Sequence, residues 1–173
     1  MACVDTIAIA DDLKSALRNL VRSVVVVTAR HEGRAYAMAA TAISEVSMSP
    51  PSMLVCINRN NAIIQAINAG ADVMLNVLGA DHEAVSRACG GGVTGQERFA
   101  IGDWEDSASD APPILKDACA LIHLKQSRLV DHGSHSIVIG DVQSVRLPSQ
   151  DKPLVFFNGG YVRFPEHMSL ASL

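Results

Sequence analysis

Residues 118–147 read ACALIHLKQSRLV-DHG-SHSIVIGDVQSVRL, and this stretch decides the fold class. It contains two long runs rich in apolar and β-branched residues, Ala118–Val130 and Ser134–Leu147, separated only by Asp131-His132-Gly133. A short polar turn with a glycine joins antiparallel strands, so the stretch predicts a long β-hairpin. The hairpin favours an antiparallel sheet over a parallel one.

A second hairpin is predicted nearer the start of the chain. The strand Val24–Thr28 leads into the polar turn His31-Glu32-Gly33, and a returning strand runs from Arg34 towards Thr41. Gly33 supplies the positive φ that such a turn requires. Ser49-Pro50-Pro51 marks a bend, because the residue before a proline avoids helical angles. Three further strands are predicted at residues 53–57, 73–78 and 154–157.

Three helices accompany the predicted strands. The first begins at Asp11, and its apolar residues recur with helical spacing to form one stripe: Leu13, Ala16, Leu17, Leu20 and Val21. Asn60 and Asn61 are predicted to cap a short second helix that ends near Gly70. The third helix is predicted at 81–89, and residues 102–113 are predicted to form a surface loop.

Strands outnumber helices, and no regular alternation of strand and helix occurs along the chain. This pattern predicts a mainly β fold, an antiparallel Greek-key-like barrel with a few flanking helices. We expect one domain over residues 1–173, with a loose N-terminal tail at 1–10 and a C-terminal tail at 165–173.

The composition excludes several classes of protein. The chain has 14 Lys and Arg against 18 Asp and Glu, and the net charge of −4 argues against a general nucleic-acid binder. Apolar residues make up 49% and charged residues 18%, which excludes a disordered chain and favours a surface covered by a second copy. The apolar run Val24–Val27 is far too short to cross a membrane.

The location in the cell is predicted from the cysteines and the N-terminus. The first ten residues do not resemble a signal peptide, because no positive charge precedes an apolar stretch. The four cysteines are scattered and include no C-x-x-C pair, so disulfides are not expected and a reducing cytoplasm is the simplest interpretation.

Two stretches are candidate binding segments. The first is Asn58-Arg59-Asn60-Asn61, which offers one cation, several amide donors and the free N–H groups at the start of a helix. Together these groups suit an anion. An ordinary asparagine-rich helix cap explains the same residues equally well. The strand Tyr36–Ala42 consists largely of small residues, which would let a flat ligand approach the backbone closely or would simply pack against another strand.

Other motifs carry less information. Gly90–Gly95 matches the dinucleotide-binding motif G-x-G-x-x-G, but it follows a predicted helix instead of a strand. We therefore interpret it as a loop that ends the helix. His132 and His135 are too few to close a metal site, although His135 can contact a cofactor at the barrel rim. Cys89 is expected to be exposed, but no base lies near it in sequence, and we do not predict a thiol nucleophile.

The order of the motifs along the chain is more specific than any one of them. The series comprises Met38-Ala39-Ala40-Thr41-Ala42, Ser49-Pro50-Pro51, Leu54-Val55-Cys56-Ile57-Asn58-Arg59, Leu75-Asn76-Val77-Leu78, Glu97-Arg98-Phe99 with Trp104, Pro113-Ile114-Leu115, Gly133–Gly140 and Pro153–Phe157. From about Leu13 to Phe164 it resembles the short-chain flavin reductases, which include the reductase components of 4-hydroxyphenylacetate 3-monooxygenases and other two-component flavin monooxygenases.

The resemblance implies an FMN-binding split β-barrel that forms a homodimer, binds FMN or FAD, and takes hydride from NADH or NADPH for a partner monooxygenase. It implies a flavin site made of Met38, Ala39, Ala40, Thr41, Cys56, Ile57, Asn58, Arg59, Asn60, Asn61 and Arg87. Asn58 to Asn61 would hold the phosphate end, and His135 and Tyr161 would lie near the nicotinamide. No protein acid or base is obligatory for hydride transfer, and no metal is implied.

Two departures from the family pattern concern the flavin contacts. Ala39 stands where the family often has Thr, and Asn60 and Asn61 stand where it often has Ser or Thr. Other functions stay open at this point. In one alternative the flavin reduces another acceptor such as a cobalt corrin. In the others the protein is a non-enzymatic flavin- or haem-binding split barrel, or a plain dimeric interaction protein.

Overall fold

The structure is a computed structural model that describes residues 6–106, 110–149 and 152–163. Its helices are α1 (Thr6–Leu17), α2 (Ile64–Asn68) and α3 (Glu83–Arg87), and α3 continues into a π-helical turn at Ala88–Gly92. A 3₁₀ segment follows at Gly95–Ala100. The strands are β1 (Arg22–Ser23), β2 (Val25–His31), β3 (Arg34–Ala40), β4 (Ile43–Met48), β5 (Pro51–Asn58), β6 (Val73–Val77), β7 (Trp104–Glu105), β8 (Ile114–Leu115), β9 (Ala120–His132), β10 (His135–Arg146), β11 (Val155–Phe157) and β12 (Gly160–Val162).

The prediction of a mainly β, antiparallel fold is confirmed. Seven strands form one sheet in the order β3-β2-β6-β9-β10-β5-β4, and every pairing in it is antiparallel. The two edge strands, β3 and β4, are consecutive in the chain and are separated only by Thr41 and Ala42. The Ala42 carbonyl accepts a hydrogen bond from the Cys56 N–H of β5 at 2.9 Å. One continuous segment therefore joins both edges of the sheet, which is the topology of a barrel.

Both predicted hairpins are present. β9 and β10 pair along almost their whole length, and β2 pairs with β3 across a turn in which Gly33 has φ +70°. The register of β10 against β9 shifts at Gly140, where a Cβ would lie 2.8 Å from the Leu124 Cβ. The absence of a side chain at Gly140 lets the two paired strands approach each other closely at this bulge.

Alternation along β2 divides the apolar residues into two cores. Val25 and Val27 face the barrel interior with Ile57, Leu75 and Leu124. The second core lies on the other face of the sheet and contains Val24, Val26, Leu78, Val85, Leu115 and Leu154. Side chains of neighbouring residues on a strand point to opposite faces, so a run of four valines serves both cores at once.

Several predicted boundaries are wrong. α1 begins at Thr6, so the expected loose tail at residues 1–10 is wrong for 6–10, whereas the expected tail at 165–173 lies outside the described residues. β4 was not predicted as a strand. In 102–106 and 110–113, the described parts of the predicted surface loop, most residues are exposed, but Trp104 pairs with Leu115 and the buried Thr28 Oγ1 donates to the Pro113 carbonyl at 2.6 Å.

The predicted apolar stripe of α1 exists, but its side chains are exposed. Leu13 is 55% exposed and Leu17 38% exposed. The N-terminal helix thus lies outside both cores and carries an uncovered apolar side. In the part of the chain that the structure describes, no helix combines the length and the apolar character needed to cross a membrane.

Candidate functional site

A cleft of about 230 Å³ opens beside the end of β3, and we call it the alanine slot. It is lined by Val24, Ala39, Ala40, Thr41, Ser86, Phe156 and Tyr161. Small side chains come from β3 and the residue after it, and the two aromatic rings come from β11 and β12. The cleft is therefore narrow, largely apolar and open to solvent at one side, which suits a flat ligand.

The backbone of β3 presents an open edge to this slot. Among the described strands, β3 pairs only with β2, and the side chains of the 3₁₀ segment cover part of its other edge. Gln96 donates to the Ala35 carbonyl at 2.8 Å, and Arg98 donates to the Ala37 carbonyl. Alternate residues of a strand share an edge, so the N–H and C=O of Ala39 point the same way, just beyond these two caps. A backbone donor and acceptor thus lie at the slot.

The small size of Ala39 lets the glycine turn approach the end of β3 closely. A Cβ on Gly90 would lie 3.9 Å from the Ala39 Cβ, so the π-helical turn packs directly against the end of β3. Gly91 has φ +116°. A Cβ on Gly92 would clash with the Arg87 carbonyl oxygen at 2.8 Å. The glycine cluster ends α3, as predicted, and holds this helix next to β3.

The aromatic wall of the slot is fixed by three contacts of Tyr161. Its hydroxyl hydrogen-bonds the Ser86 Oγ at 2.9 Å, and its ring meets Phe156 edge to face with the centroids 5.5 Å apart. The Arg87 guanidinium carbon lies 5.0 Å from the Tyr161 ring centroid, and Arg87 also donates to the Glu83 carboxylate at 2.7 and 2.9 Å. α3 and β12 are thereby locked together at the slot.

A second group of polar residues follows β5, and we call it the asparagine turn (Asn58–Asn61). The Asn58 Oδ1 accepts the Asn60 N–H at 2.9 Å, and the Asn61 Oδ1 accepts the Ile63 N–H at 3.2 Å. α2 begins only at Ile64 and has no side-chain cap, so the predicted capping of this helix by Asn60 and Asn61 is wrong. The amides instead stabilise two successive Asx turns.

Arg59 and His135 both lie beside the asparagine turn. Arg59 donates to the Gly133 carbonyl, and its guanidinium lies 3.6 Å from the Asp131 carboxylate. His135 is opposite Asn58 in the β10–β5 register, and its Nδ1 lies 2.9 Å from the Ser134 Oγ. His135 is exposed at the start of β10, at the rim of the sheet. The β9–β10 turn and the asparagine turn thus form one polar surface.

The predicted flavin residues fall into two neighbouring groups. Ala39, Ala40 and Thr41 line the alanine slot, and Arg87 joins them through Tyr161. Asn58 to Asn61 form the other group, and the bond between Cys56 N–H and Ala42 C=O brings the end of β5 next to the end of β3. Tyr161 lies in the slot with the first group, whereas His135 lies with the second.

Two predicted site residues have buried side chains. Met38 is 8% exposed and Ile57 is fully buried, and both belong to the barrel core. Cys56 is half-buried. At Met38 and Ile57 only the backbone can face a ligand, because their side chains are used for packing.

Cys89 is buried, so the exposure predicted for it is wrong. Burial raises the pKa of the Cys89 thiol to about 11, and nearby Arg98 opposes this only in part. A neutral, buried thiol is a poor nucleophile. Among the described residues, no group of three or more His, Cys, Asp or Glu side chains is arranged to hold a metal ion.

Sequence reasoning missed three lining residues of the slot: Val24, Ser86 and Phe156. Ser86 is 1% exposed and Val24 is 2% exposed. Ser86 follows the apolar Val85 on α3 and precedes Cys89 in the π-helical turn, which is a weak signal that this side of the helix is buried. Nothing local to Phe156 indicates that it meets β3, because they are more than 100 positions apart in the sequence.

Comparisons with known proteins agree on one family. The flavin reductase like domain model matches residues 17–165. An FMN reductase (NADH) RutF of Agrobacterium fabrum is 34% identical over 150 residues, which cover 87% of this chain and 86% of that protein. The 4-hydroxyphenylacetate 3-monooxygenase reductase component of Pseudomonas aeruginosa is 29% identical, with 87% and 89% of the two chains covered.

A solved structure matches the fold over nearly the whole chain. The NADH:FAD oxidoreductase SgcE6 of Streptomyces globisporus, in complex with NAD and FAD fragments, superimposes with a TM-score of 0.83 and 25% identity. The match covers 98% of this chain and 100% of that one. The family model spans most of the chain, and this chain therefore belongs to the flavin reductase like domain family.

Proposed function

We propose that this protein is an NADH-dependent flavin reductase that supplies reduced flavin to a partner monooxygenase. The observation that carries the proposal is the alanine slot, a narrow cleft with an open backbone edge at Ala39, in a chain of this family. Relatives named as an NADH-dependent FMN reductase and as a monooxygenase reductase component support the reaction and the partner.

The residues of the slot fit a flavin. A planar ring needs flat, apolar walls, which Ala39, Phe156 and Tyr161 provide. The pyrimidine edge of a flavin carries alternating donors and acceptors, and the outward N–H and C=O of Ala39 are complementary to them. The alanine that replaces the threonine frequent in the family removes a hydroxyl but leaves this backbone pair unchanged.

The asparagine turn supports binding of the phosphate end. Its exposed amides lie next to Arg59, and charge-assisted contacts from an arginine to phosphate are strong. Arg59 is already paired with the Asp131 carboxylate at 3.6 Å. Both groups are about half exposed, so this ion pair is weak and a phosphate can compete for Arg59.

The chemistry of the reaction belongs to the bound flavin, which accepts hydride from a reduced nicotinamide. The protein's own residues bind and orient. Ser86 and Arg87 fix the Tyr161 ring as a wall of the slot. We propose that His135 contacts the nicotinamide end of NADH from the rim and positions it without exchanging a proton.

We propose that a second copy of the chain covers the exposed apolar side of α1. Ile7, Leu13 and Leu17 are exposed there, and such a side is typical of a subunit interface. Cys56 and Cys89 are free thiols, which supports a reducing cytoplasm as the site of action. Sedimentation equilibrium tests the dimer: a Leu13→Glu variant should dissociate, and a wild type that sediments as a monomer contradicts it.

The proposed reaction is tested by NADH oxidation with purified protein and added FMN, FAD or riboflavin. We expect absorbance at 340 nm to fall only when protein, NADH and flavin are all present. An Ala39→Leu variant should lose most of this activity, because its side chain fills the slot, while Ala69→Leu at the exposed end of α2 should not. Absence of flavin-dependent oxidation by the wild type would rule out the enzyme.

A further inference from the structure

One carboxylate lies beside the cation of the asparagine turn and has no role in the proposed reaction. The Asp131 Oδ2 lies 3.6 Å from the Arg59 Nη1. Asp131 is the second-to-last residue of β9, so it reaches Arg59 from the β9–β10 hairpin and not from the asparagine turn itself. The polar surface that is proposed to hold a phosphate therefore contains an anion, which would repel that phosphate.

The Asp131 carboxylate is held in place by a buried hydroxyl. Asp131 and Ser136 are opposite each other in the β9–β10 register, and the Ser136 Oγ donates to the Asp131 Oδ1 at 2.6 Å. Ser136 is 1% exposed. A short hydrogen bond from a hydroxyl to a carboxylate is strong, so one oxygen of Asp131 is anchored while the other faces Arg59. The position of this carboxylate is thus a fixed feature of the hairpin.

Arg59 is turned towards the same hairpin by several contacts. Its backbone N–H donates to the Ser134 carbonyl at 3.0 Å, and its guanidinium donates to the Gly133 carbonyl. Asp131 adds the opposite charge on the same side. The guanidinium thus has partners before any ligand arrives, and a phosphate gains it only by replacing them. This replacement reduces the free energy that the contact between Arg59 and phosphate contributes to binding.

We propose that Asp131 is an affinity-lowering residue, which competes with the flavin phosphate for Arg59 and so keeps phosphorylated flavins exchangeable. The inference rests on the proposed function, in which the asparagine turn holds the phosphate and reduced flavin leaves for another protein. The effect of Asp131 is confined to the phosphate end, because the flavin ring is proposed to lie in the alanine slot. Riboflavin, which has the ring without the phosphate, is therefore not affected.

The test is the substitution Asp131→Asn, which removes the charge and keeps the shape of the side chain. An Oδ1 remains to accept the Ser136 hydroxyl, so the hairpin should fold as in the wild type. The Kd values of FMN and riboflavin are measured by flavin fluorescence at low salt, without NADH. We expect the variant to bind FMN about 3- to 5-fold more tightly, which is the size of an exposed ion pair, and to bind riboflavin as the wild type does.

Two controls separate this role from a general effect of charge. Asp103→Asn removes the same charge from a side chain of similar exposure, 64% against 59%, which pairs with Lys116 at 2.7 Å. Most of β9, a strand of 13 residues, lies between Lys116 and Asp131 in the chain, and Asp103→Asn should leave the Kd of both flavins unchanged. High salt is the second control. At about 1 M salt the Debye length is about 3 Å, so the gain from Asp131→Asn should largely disappear.

A double variant tests whether Asp131 acts through Arg59. If the carboxylate and the phosphate compete for this arginine, Asp131→Asn should gain little FMN affinity in an Arg59→Ala background. A gain of the same size with and without Arg59 would overturn the proposed competition, because Asp131 would then act on the ligand independently of the arginine.

Two other results would overturn the inference and leave the proposed function intact. One is a wild type that binds both flavins while Asp131→Asn binds FMN no more tightly. The other is an equal gain in affinity for FMN and for riboflavin, which would place the effect at the ring. A wild type that binds neither flavin would instead refute the proposed function and this inference together.

Discussion

The hydrogen bond between Ser86 and Tyr161 gives the sharpest test of how the slot is built. Its two oxygens are 2.9 Å apart, Ser86 is 1% exposed, and Tyr161 is half-buried at the cleft. Tyr161→Phe leaves the Ser86 hydroxyl buried without its partner, whereas Ser86→Ala leaves a tyrosine hydroxyl that water can reach through the cleft. The two single substitutions should therefore differ in cost.

The expected magnitudes follow from that asymmetry. A buried polar group without a partner costs about 1–3 kcal/mol, and the net loss of one ordinary hydrogen bond costs about 0.5–1.5 kcal/mol. Tyr161→Phe should thus lower the free energy of unfolding by the larger amount and Ser86→Ala by the smaller. Removal of both partners should cost less than the sum, which leaves a coupling energy of about 1 kcal/mol.

The assay is urea unfolding of the flavin-free wild type, both single variants and the double variant, followed by circular dichroism. For a chain of this length, 1 kcal/mol also moves the Tm by about 2–4 °C, so thermal melts give an independent check. Strictly additive effects would refute the reasoning, because they would mean that the two hydroxyls do not interact. A larger loss for Ser86→Ala than for Tyr161→Phe would contradict the assigned burial.

Four other predictions concern single residues. Gly140→Ala should destabilise the fold by about 1–3 kcal/mol in urea unfolding, since its Cβ would meet the Leu124 Cβ at 2.8 Å; an unchanged midpoint contradicts the close strand crossing. Because burial raises the pKa of Cys89 to about 11 from 9.0, its folded thiol should resist iodoacetamide at pH 9, and stability should fall as pH rises from about 9 to 11; fast native labelling argues against burial. His135→Ala should raise the KM for NADH more than the Kd for flavin, and Arg59→Ala should weaken FMN and FAD but spare riboflavin; equal effects on all ligands would contradict both roles.

The sequence predicted the strands well because their pattern is local. The DHG turn predicted the β9–β10 hairpin, and Gly33 with its polar neighbours predicted the β2–β3 hairpin. The contacts within 102–106 and 110–113 were missed because Thr28, which bonds Pro113, is 85 positions away, and because Trp104 pairs with Leu115 only when the chain folds back on itself. β4 was missed because its polar residues, such as Glu45, suit an exposed edge as well as a loop.

The site was predictable only in part, because local sequence patterns do not show contacts between residues that are distant in the sequence. The small residues of β3 are visible in the sequence, and so is the asparagine turn. The pairing of Tyr161 with Ser86 arises only when α3 and β12 pack together.

The central claim is that a flavin ring binds at the end of β3, between Ala39 and the Tyr161 ring. The most direct measurement is a titration of wild type and Ala39→Leu protein with FMN, followed by tyrosine and flavin fluorescence. We expect saturable quenching in the wild type and a Kd at least 10-fold higher in the variant, whose folded state is checked by circular dichroism. Equal FMN affinity in the two proteins would contradict the account.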